Sequence, residues 1–453
     1  MPNDVISQLL VIFITISVQI WFVHKVKSRY KTGPNIYIFH PIFFINLVEI
    51  LFFFSPFVFF LLNKGIYDKG YIFNNSSMPL VIYCISLLNF NIVCFFLEGV
   101  LLKKLKVSNS EDTLFDFKQS EFKLWIIIYV VVWIARLITI SIGTYWHVFV
   151  TPEMQARRDA FSHITSLLAF FTVVLAPIFW YIASLLYFTQ YKSNKKYRTI
   201  FKLLIFAEII FYLPSGGKLL ALMPIIAYFI ANYMVNGFKI FIKQFAVFIL
   251  IVSLLLPLHN LFRGTGKISI ESIKKIQKSK ENYLSQSISQ TFNRAENFSA
   301  YFVFVEKVES FLKGKTYNQI FSAPIPRFFW HNKPKAANAN EIGRKYGLLG
   351  NDFITSPAIG MWAEAYLNFG FSGLFLIGTC MSIFSLFLFK HMMINRTLWS
   401  SFYCYYIFFL YVTRPQSMIG GMISDVIKLF IVLFLFKLLI KAHEKRIIYW
   451  TAK

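Results

Sequence analysis

The sequence predicts an all-α, polytopic integral membrane protein: a helical bundle of about eleven transmembrane helices with one large extracytoplasmic loop. The chain of 453 residues is 57% hydrophobic and only 15% charged, and its mean hydropathy is +0.58. Apolar runs of about 20 residues recur along it, and that length crosses a bilayer as a helix. Because lipid cannot satisfy the open edge of a sheet, a chain of this kind is expected to be helical.

The predicted spans follow the apolar runs in chain order. They lie near 5–23, 36–62, 79–102, 122–143, 164–189, 199–213, 218–235, 238–258, 359–389, 397–413 and 419–441. The first run lacks the basic start and small-residue cleavage site of a signal peptide, so it is interpreted as a span. This pattern divides the chain into an N-terminal transmembrane bundle (1–258), a large and partly helical loop (259–358) and C-terminal transmembrane helices (359–453).

The sixth predicted span is short. Its sequence "TIFKLLIFAEIIFYL" provides about 22 Å of helix, whereas the hydrocarbon core is about 30 Å thick. The residues "PSGG" then break the helix before Lys218. Two interpretations stay open: an irregular segment that lines a cavity below the outer surface, or a surface hairpin from which Lys218 extends outward.

Basic loops predict the orientation of the chain. The loops "HKVKSRYK", "KKLKV", "YKSNKKYR", "FKIFIK", "KHMMINR" and "KAHEKR" follow every second span. The positive-inside rule places such loops in the cytoplasm. The N-terminus and the loop 259–358 are therefore predicted to be extracytoplasmic, and the C-terminus cytoplasmic. Within the loop, Phe298–Leu312 is amphipathic and could lie on the bilayer surface.

The charge and the cysteines are explained by the membrane. A formal net charge of +25 would suggest nucleic acid in a soluble protein, but here short cytoplasmic loops account for many of the cations, and no nucleic-acid partner is predicted. Cys84, Cys94, Cys380 and Cys404 all fall in apolar segments, which favours a packing role. The chain has no HExxH, no phosphate-binding glycine loop and no Cys/His cluster, so neither a metal nor a cofactor is predicted.

Cations on the predicted extracytoplasmic side need a separate reason, because they oppose the charge bias of membrane proteins. Chief among them are Arg157, Arg158, Lys218, Arg263, Arg294, Arg327, Lys333, Lys335, Arg344 and Arg414. A guanidinium matches the geometry of a phosphate. If folding brings these cations together, they would bind a pyrophosphate or stabilise it as it leaves. Arg158 could instead pair with the neighbouring Asp159.

Aromatic side chains accompany these cations. They are Tyr145, Trp146, Phe328, Phe329, Trp330, Tyr346, Trp362 and Tyr366, and His331 lies in the same loop as Trp330. Aromatic faces suit the apolar faces of sugar rings, although Trp and Tyr also collect at membrane interfaces. Both interpretations stay open for each ring.

Two charged residues within predicted spans are also candidates. Glu364, near the outer end of the ninth span, could act as a general base or anchor one of the arginines. Arg136, inside the fourth span, is a functional candidate by its position. It could instead hold the bundle together by pairing with Glu49 or Glu98.

Three sequence elements resemble a known family. "IPRFFWHNKP" is followed by "SPAIGMWAEAYLNFGFSG", and "YLPSGGKLLALM" comes earlier in the chain. In this order they resemble elements of the Wzy-type O-antigen polymerases, the oligosaccharide repeat-unit polymerases. Lys218 departs from the pattern, because arginine is frequent at the corresponding position of the family.

The resemblance implies a fold like that of the GT-C membrane glycosyltransferases and an activity in the bacterial inner membrane. A growing glycan leaves its undecaprenyl pyrophosphate on the periplasmic side and passes to a second lipid-linked repeat unit. Donor, acceptor and membrane lipids would be the partners, and a chain-length regulator could be a further one. On this interpretation the catalytic candidates are Arg327, Glu364, Arg263 and Arg157. The binding candidates are Arg158, Lys218, Arg294, Trp330, His331, Lys333, Arg344, Tyr366 and Arg414.

Two other functions were compared with polymerisation. An O-antigen ligase uses the same donor but passes the glycan to the lipid A core, and His331 would suit it. A lipid-linked oligosaccharide flippase, or another transporter, would favour charges inside the bundle and two pseudo-symmetric halves. The single long loop favours a transferase over a transporter.

Overall fold

The structure, a computed structural model, describes residues 3–30, 36–62, 77–101, 119–141, 162–189, 191, 193–212, 218–237, 298–322, 325, 330, 339–348, 359–395, 398–413 and 418–451. Across these ranges every regular element is helical and no strand occurs. The α-helices are α1 (Asn3–Arg29), α2 (Pro41–Glu49), α3 (Ser55–Leu62), α4 (Ser77–Leu101), α5 (Gln119–Ser141), α6 (Ser162–Thr189), α7 (Lys195–Tyr212), α8 (Lys218–Asn236), α9 (Phe298–Lys307), α10 (Gln319–Ser322), α11 (Ala339–Lys345), α12 (Gly360–Asn395), α13 (Leu398–Thr413) and α14 (Ile419–Thr451).

Helices α1, α4 and α12 are long and apolar enough to cross a membrane. Their spans are Val5–Arg29, Ser77–Leu101 and Gly360–Ile394. Large apolar side chains on these helices are not packed against other parts of the protein. Phe13 of α1, for example, is 69% exposed, as expected for a side chain that faces lipid. The protein is therefore an all-helical, membrane-embedded protein, as the sequence predicts. The number of spans stays a prediction, and the predicted eighth span, 238–258, lies outside the described residues.

Helices α1, α4 and α12 run in the same direction. Phe22 of α1 contacts Phe95 of α4, and further along both helices Arg29 pairs with Glu98. Tyr83 of α4 likewise contacts Trp362 of α12, and further along both helices Asn89 bonds to Thr379 at 3.2 Å. We call the end at which these three helices begin the upper end, and the opposite end the lower end.

The predicted second span contains four consecutive helical pieces. A 3₁₀ helix (Ile36–Phe39) is separated from α2 by His40 alone, and α2, a π-helical turn (Ile50–Phe54) and α3 then follow one another without a gap. The Nδ1 atom of His40 accepts a hydrogen bond from the backbone N–H of Ile42 at 3.2 Å and so caps α2. Asn46 and Asn91 exchange hydrogen bonds of 3.0 and 3.1 Å, which fix α2 against α4.

A buried ion pair joins α5 to α7. The two terminal nitrogens of Arg136 donate to the carboxylate of Glu208 at 2.6 and 2.7 Å, and the Tyr129 hydroxyl donates to the same carboxylate at 2.6 Å. Both charged side chains are fully buried. The interpretation of Arg136 as a structural residue therefore fits the fold, but neither predicted partner is correct. Glu98 pairs with Arg29, and Glu49 accepts hydrogen bonds from Tyr83 and Trp362.

Helices α6 and α8 pack along each other in opposite directions. Tyr181 contacts Met234, whereas Tyr187 and Phe188, further along α6, contact Tyr228, which is earlier in α8. The predicted topology makes both helices run from the outside to the inside. Either α6 or α8 therefore runs opposite to its predicted direction. If that helix is α8, Lys218 at its start would not lie on the predicted outer side.

The described part of the long loop covers the upper end of the bundle. The hydroxyl of Tyr301 in α9 donates to the backbone carbonyl of Pro79 at the start of α4, at 2.9 Å. Phe298 packs on Phe57 of α3 with ring centroids 5.1 Å apart. The amphipathic face of α9 is thus buried against transmembrane helices, whereas the sequence suggested that it could lie on the bilayer surface.

All four cysteines are free thiols. Three of them, Cys84, Cys94 and Cys404, are buried as predicted for packing residues. Cys380 differs, because it is exposed on the surface of α12.

Candidate functional site

The segment "EAYLNFGFSG" forms a break in α12. Gly370 has φ 65° and ψ −151°, so the helix consists of a short upper part, 360–369, and a long lower part. The carbonyls of Leu367 and Asn368 accept hydrogen bonds from the backbone N–H groups of Leu312 and Lys313, at 3.1 and 3.0 Å. The long loop therefore satisfies the carbonyl groups that the break releases.

Glycine is required at the break by two separate constraints. This combination of φ and ψ is essentially restricted to glycine, and a Cβ atom on Gly370 would lie 2.7 Å from the ring of Phe311. A Cβ atom on Gly373 would lie 2.3 Å from the carbonyl oxygen of Ala365. The two glycines of "NFGFSG" are therefore needed for the backbone conformation at the break and for the close packing beside the upper part of α12.

Glu364 holds the beginning of α14. Its side chain is fully buried. The Oε2 atom accepts a hydrogen bond from the backbone N–H of Ile419, and the N–H of Gly420 also bonds to this carboxylate. A carboxylate at a helix N-terminus satisfies unpaired N–H groups and interacts favourably with the helix dipole. The contacts show an anchor for a helix N-terminus, and the predicted roles of Glu364 as a general base or an arginine anchor stay predictions.

Asn368 fixes the long loop to the upper part of α12. Its side-chain amide donates to the Thr316 hydroxyl at 2.7 Å and to the carbonyl oxygen of Glu364 at 2.8 Å. Tyr317 stacks on Phe369 with ring centroids 6.0 Å apart. Burial raises the pKa of Tyr317, so its phenol stays neutral at ordinary pH. The residues around Glu364 therefore form a tightly packed junction.

Tyr366 lies in an aromatic cluster. Its ring meets those of Tyr301, Phe311 and Phe371 edge-on, at centroid distances of 5.9, 5.8 and 5.1 Å. Only 6% of Tyr366 is exposed. The predicted role in glycan binding would require an accessible ring face, so among the described residues Tyr366 serves the packing of the loop on α12.

A cleft opens beside Glu49 at the upper end. It is lined by Val48, Glu49, Tyr83, Tyr301, Ile359, Gly360, Met361, Trp362, Ala363 and Met422. The carboxyl group of Glu49 accepts a hydrogen bond from Trp362 Nε1 at 2.8 Å and another from the Tyr83 hydroxyl. Glu49 directly precedes the π-helical turn, and such turns occur frequently at functional sites.

Glu49 was predicted only as a possible partner for Arg136, not as a residue that lines a cleft. The sequence does distinguish Glu49, because it is the single acid in the apolar run "FINLVEILFFF". An ionisable residue inside a membrane segment is a functional candidate by its position alone. What the sequence could not show is that Glu49 faces a cleft.

Most predicted cations lie outside the described residues. These are Arg157, Arg158, Arg263, Arg294, Arg327, Lys333 and Arg414, and His331 lies outside them as well. Lys218 begins α8, but its side chain is also outside the described part. Trp330 is 39% exposed, and Arg344 lies half-buried in the last turn of α11. The convergence of these residues on one cavity stays a prediction.

The described segments on both sides of Arg327 lie at the upper end. Helix α10, which ends five residues before Arg327, packs against α14. Tyr346, directly after α11, packs on Phe304 of α9 with ring centroids 5.3 Å apart. The loop that carries Arg327 is therefore attached at both sides to the end of the bundle that holds the Glu49 cleft.

Within the described ranges no group of three or more His, Cys, Asp or Glu side chains lies together as a metal site would. Comparisons with protein-family models, curated proteins and solved structures find no match to this chain.

Proposed function

We propose that the protein is a membrane glycosyltransferase that polymerises undecaprenyl-pyrophosphate-linked oligosaccharide repeat units into O-antigen or a similar surface polysaccharide. It would act at the periplasmic face of the bacterial inner membrane, with a GT-C-like bundle of about eleven spans. The N-terminus would be periplasmic, the C-terminus cytoplasmic, and the upper end would face the periplasm.

One observation carries the proposal. The two sequence elements that resemble the polymerases, "IPRFFWHNKP" and "EAYLNFGFSG", are far enough apart in the chain to have formed separate structures. Instead, the loop segment that lies 9 to 13 positions before the first element bonds to the second, through Leu312, Lys313 and Thr316. A cleft with an acid and aromatic rings lies at the same end. The arrangement supports a site in which the long loop and the start of α12 act together.

The chemistry of the proposed reaction fits the residue types. A pyrophosphate that leaves carries negative charge, and arginines presented at the membrane interface would stabilise that charge in the transition state. Because pyrophosphate is a good leaving group, the reaction has less need of a nucleotide or a metal. In this proposal Arg327, Arg263 and Arg157 act on the pyrophosphate, and the other outer cations and Trp330 bind the donor.

The glycan of a deletion strain tests the proposal. We expect lipopolysaccharide whose core carries a single repeat unit, with the ladder restored by the wild-type gene. A lipid-linked polymer that never reaches the core would indicate a ligase. A strain without periplasmic repeat units would indicate a flippase. Either result would contradict polymerisation.

Labelling from outside the cell tests the orientation. A cysteine placed at Asn338, in the loop that follows Arg327, should react with a membrane-impermeant thiol reagent after the outer membrane is permeabilised. Reaction only after cell lysis would place the loop in the cytoplasm and would contradict a periplasmic site.

A further inference from the structure

The lipid-facing surface of α12 begins at the break. In the upper part of the helix, residues 360–368 are all buried or nearly buried by the protein. Below Gly370, large apolar side chains are exposed at spacings of four or seven positions, which places them on one face of an α-helix. They are Phe371, Phe375, Leu376, Ile383, Phe387 and Ile394. The bilayer therefore contacts the lower part of α12 and not the upper part.

The length of this face matches the thickness of a bilayer. From Phe371 to the half-buried Lys390 the helix rises about 29 Å, at about 1.5 Å per residue, and a hydrocarbon core is about 30 Å thick. The whole of α12, with 36 residues, is about 54 Å long, which is far more than a bilayer needs. A membrane that covers the exposed face has one surface at Lys390 and the other at the Gly370 break.

The long loop makes a tight turn at the height of the break, through residues 311–315. The two backbone hydrogen bonds described for the break fix this turn to the upper part of α12, and the ring of Phe311 lies against Gly370. The N–H of Lys315 donates to the carbonyl oxygen of Leu312 at 3.1 Å and closes the turn. The turn is therefore held at the end of the lipid-facing surface.

The exposed side chains of the turn suit a membrane surface. Phe311 is 43% exposed, and it shares a contact with Tyr366 with the lipid-facing Phe371. The apolar surface of α12 thus continues onto the long loop. Lys313 and Lys315 are exposed as well. A lysine beside an apolar surface can bury its methylene chain while its charge reaches the lipid head groups.

Lys313 has a backbone conformation that a lysine rarely adopts. Its φ is 49°, and that of the following Gly314 is 85°. Glycine and asparagine are the residues that favour the left-handed region, so either of them would form this turn with less strain than lysine. What lysine adds at this position is a long cationic side chain.

We propose that the turn 311–315 is a membrane-surface anchor that binds the phosphate groups of anionic phospholipids. Phe311 enters the edge of the hydrocarbon core, and the two lysines lie at the level of the lipid phosphates. The occupant is a phospholipid because the turn continues the lipid-facing surface of α12. It is an anionic one because the charges within the turn are both positive, while the exposed Glu309 precedes the turn. This inference does not depend on the proposed reaction.

Cys380 provides a depth reference on the same helix. It is exposed, whereas the other three cysteines are buried, and it lies about 15 Å below Gly370 along the helix. The full chain is reconstituted in vesicles of phosphatidylcholine and phosphatidylglycerol. A nitroxide is attached to Cys380, or to Lys313→Cys in a Cys380→Ser background. Collisions with oxygen, which enters the bilayer, and with a water-soluble nickel chelate measure the depth of each label.

The two labels should report different depths. We expect the label on Cys380 near the centre of the bilayer and the label on Lys313→Cys near the lipid phosphates. A Lys313→Cys label as accessible to nickel as a label free in buffer would place the turn in water. One as deep as the Cys380 label would place it in the hydrocarbon core. Either result overturns the anchor.

A fluorophore on Cys380 tests the preference for anionic lipid. Phosphatidylglycerol and phosphatidylcholine with brominated acyl chains are compared as quenchers, because each quenches the fluorophore when it contacts this face of α12. We expect phosphatidylglycerol to be preferred, and the preference to fall by about fivefold for each lysine removed in Lys313→Gln with Lys315→Gln. Lys345→Gln, at an exposed lysine of α11, is the matched control and should keep the preference. No preference in the wild type, or an unchanged one in the double variant, overturns the binding of lipid phosphate.

Discussion

Replacing Glu364 should loosen the beginning of α14. In Glu364→Ala the N–H groups of Ile419 and Gly420 lose their carboxylate acceptor at a fully buried side chain. Loss of a helix cap costs about 0.5–2 kcal/mol, and an unsatisfied buried donor costs about 1–3 kcal/mol. We therefore expect about 2 kcal/mol for Glu364→Ala. Glu364→Gln keeps one acceptor oxygen and loses the charge, so about 1 kcal/mol is expected from the helix dipole.

Hydrogen exchange of the backbone amides at the start of α14 measures this loss of stability. The purified protein in detergent is exchanged into D₂O, and the amides at the start of α14 are followed by mass spectrometry. A loss of about 2 kcal/mol corresponds to about 30-fold faster exchange, and about 1 kcal/mol to about fivefold, since about 1.4 kcal/mol is a factor of ten. The control is Glu309→Ala, an exposed acid of the same long loop, for which a change within about 0.5 kcal/mol is expected.

Two outcomes would refute the reasoning. Unchanged protection of α14 in Glu364→Ala would show that the carboxylate does not hold this helix. If Glu364→Gln abolishes polymerisation while hydrogen exchange and protein level stay unchanged, Glu364 acts in the reaction itself, as a base or an arginine anchor. The structure favours a joint loss of protection and activity.

Three further predictions concern other parts of the molecule. Gly370→Ala should destabilise the protein by about 1–3 kcal/mol because of its backbone conformation alone, whereas Gly421→Ala, at a position with no atom within 4 Å of the new Cβ, should be neutral in the same thermal-unfolding assay. Removing one partner of a buried ion pair costs about 3–5 kcal/mol, so Arg136→Met should lower the yield of folded protein, and an additional Glu208→Met should recover part of it; no recovery would contradict the pair. Arg327→Ala should slow elongation by about 2.7–4 kcal/mol of barrier, and Arg327→Lys should restore only part of the rate because it lacks the planar fork; full ladders from Arg327→Ala would remove it from the mechanism.

The sequence predicted well what depends on local composition. Apolar runs placed all the long helices of the described part, because a run of this kind has no stable alternative in lipid. The element that contains Glu364 was predicted to begin a helix, and the structure has that helix begin at the same end of the bundle as α4. These features depend on residues close together in the chain.

Features that depend on distant residues were not predictable. Arg136 and Glu208 are separated by 72 positions, and the sequence gives no reason to prefer Glu208 over Glu49 or Glu98. The break at Gly370 depends on Phe311 and Leu312 of the long loop, which pack against it only after folding. The opposite directions of α6 and α8 likewise come from tertiary packing, which charge counts in the loops do not record.

The break in α12 affects how mutational scans of this protein should be interpreted. A scan that ranks positions by lost polysaccharide would place Gly370, Gly373 and Asn368 beside any residue that touches the substrate, because the upper part of α12 cannot form without them. Such positions would lose activity in every assay and at every substrate concentration. A titration of the donor would separate the two groups: contact residues would shift the dependence on concentration, whereas residues of the break would reduce the amount of competent enzyme and leave that dependence unchanged.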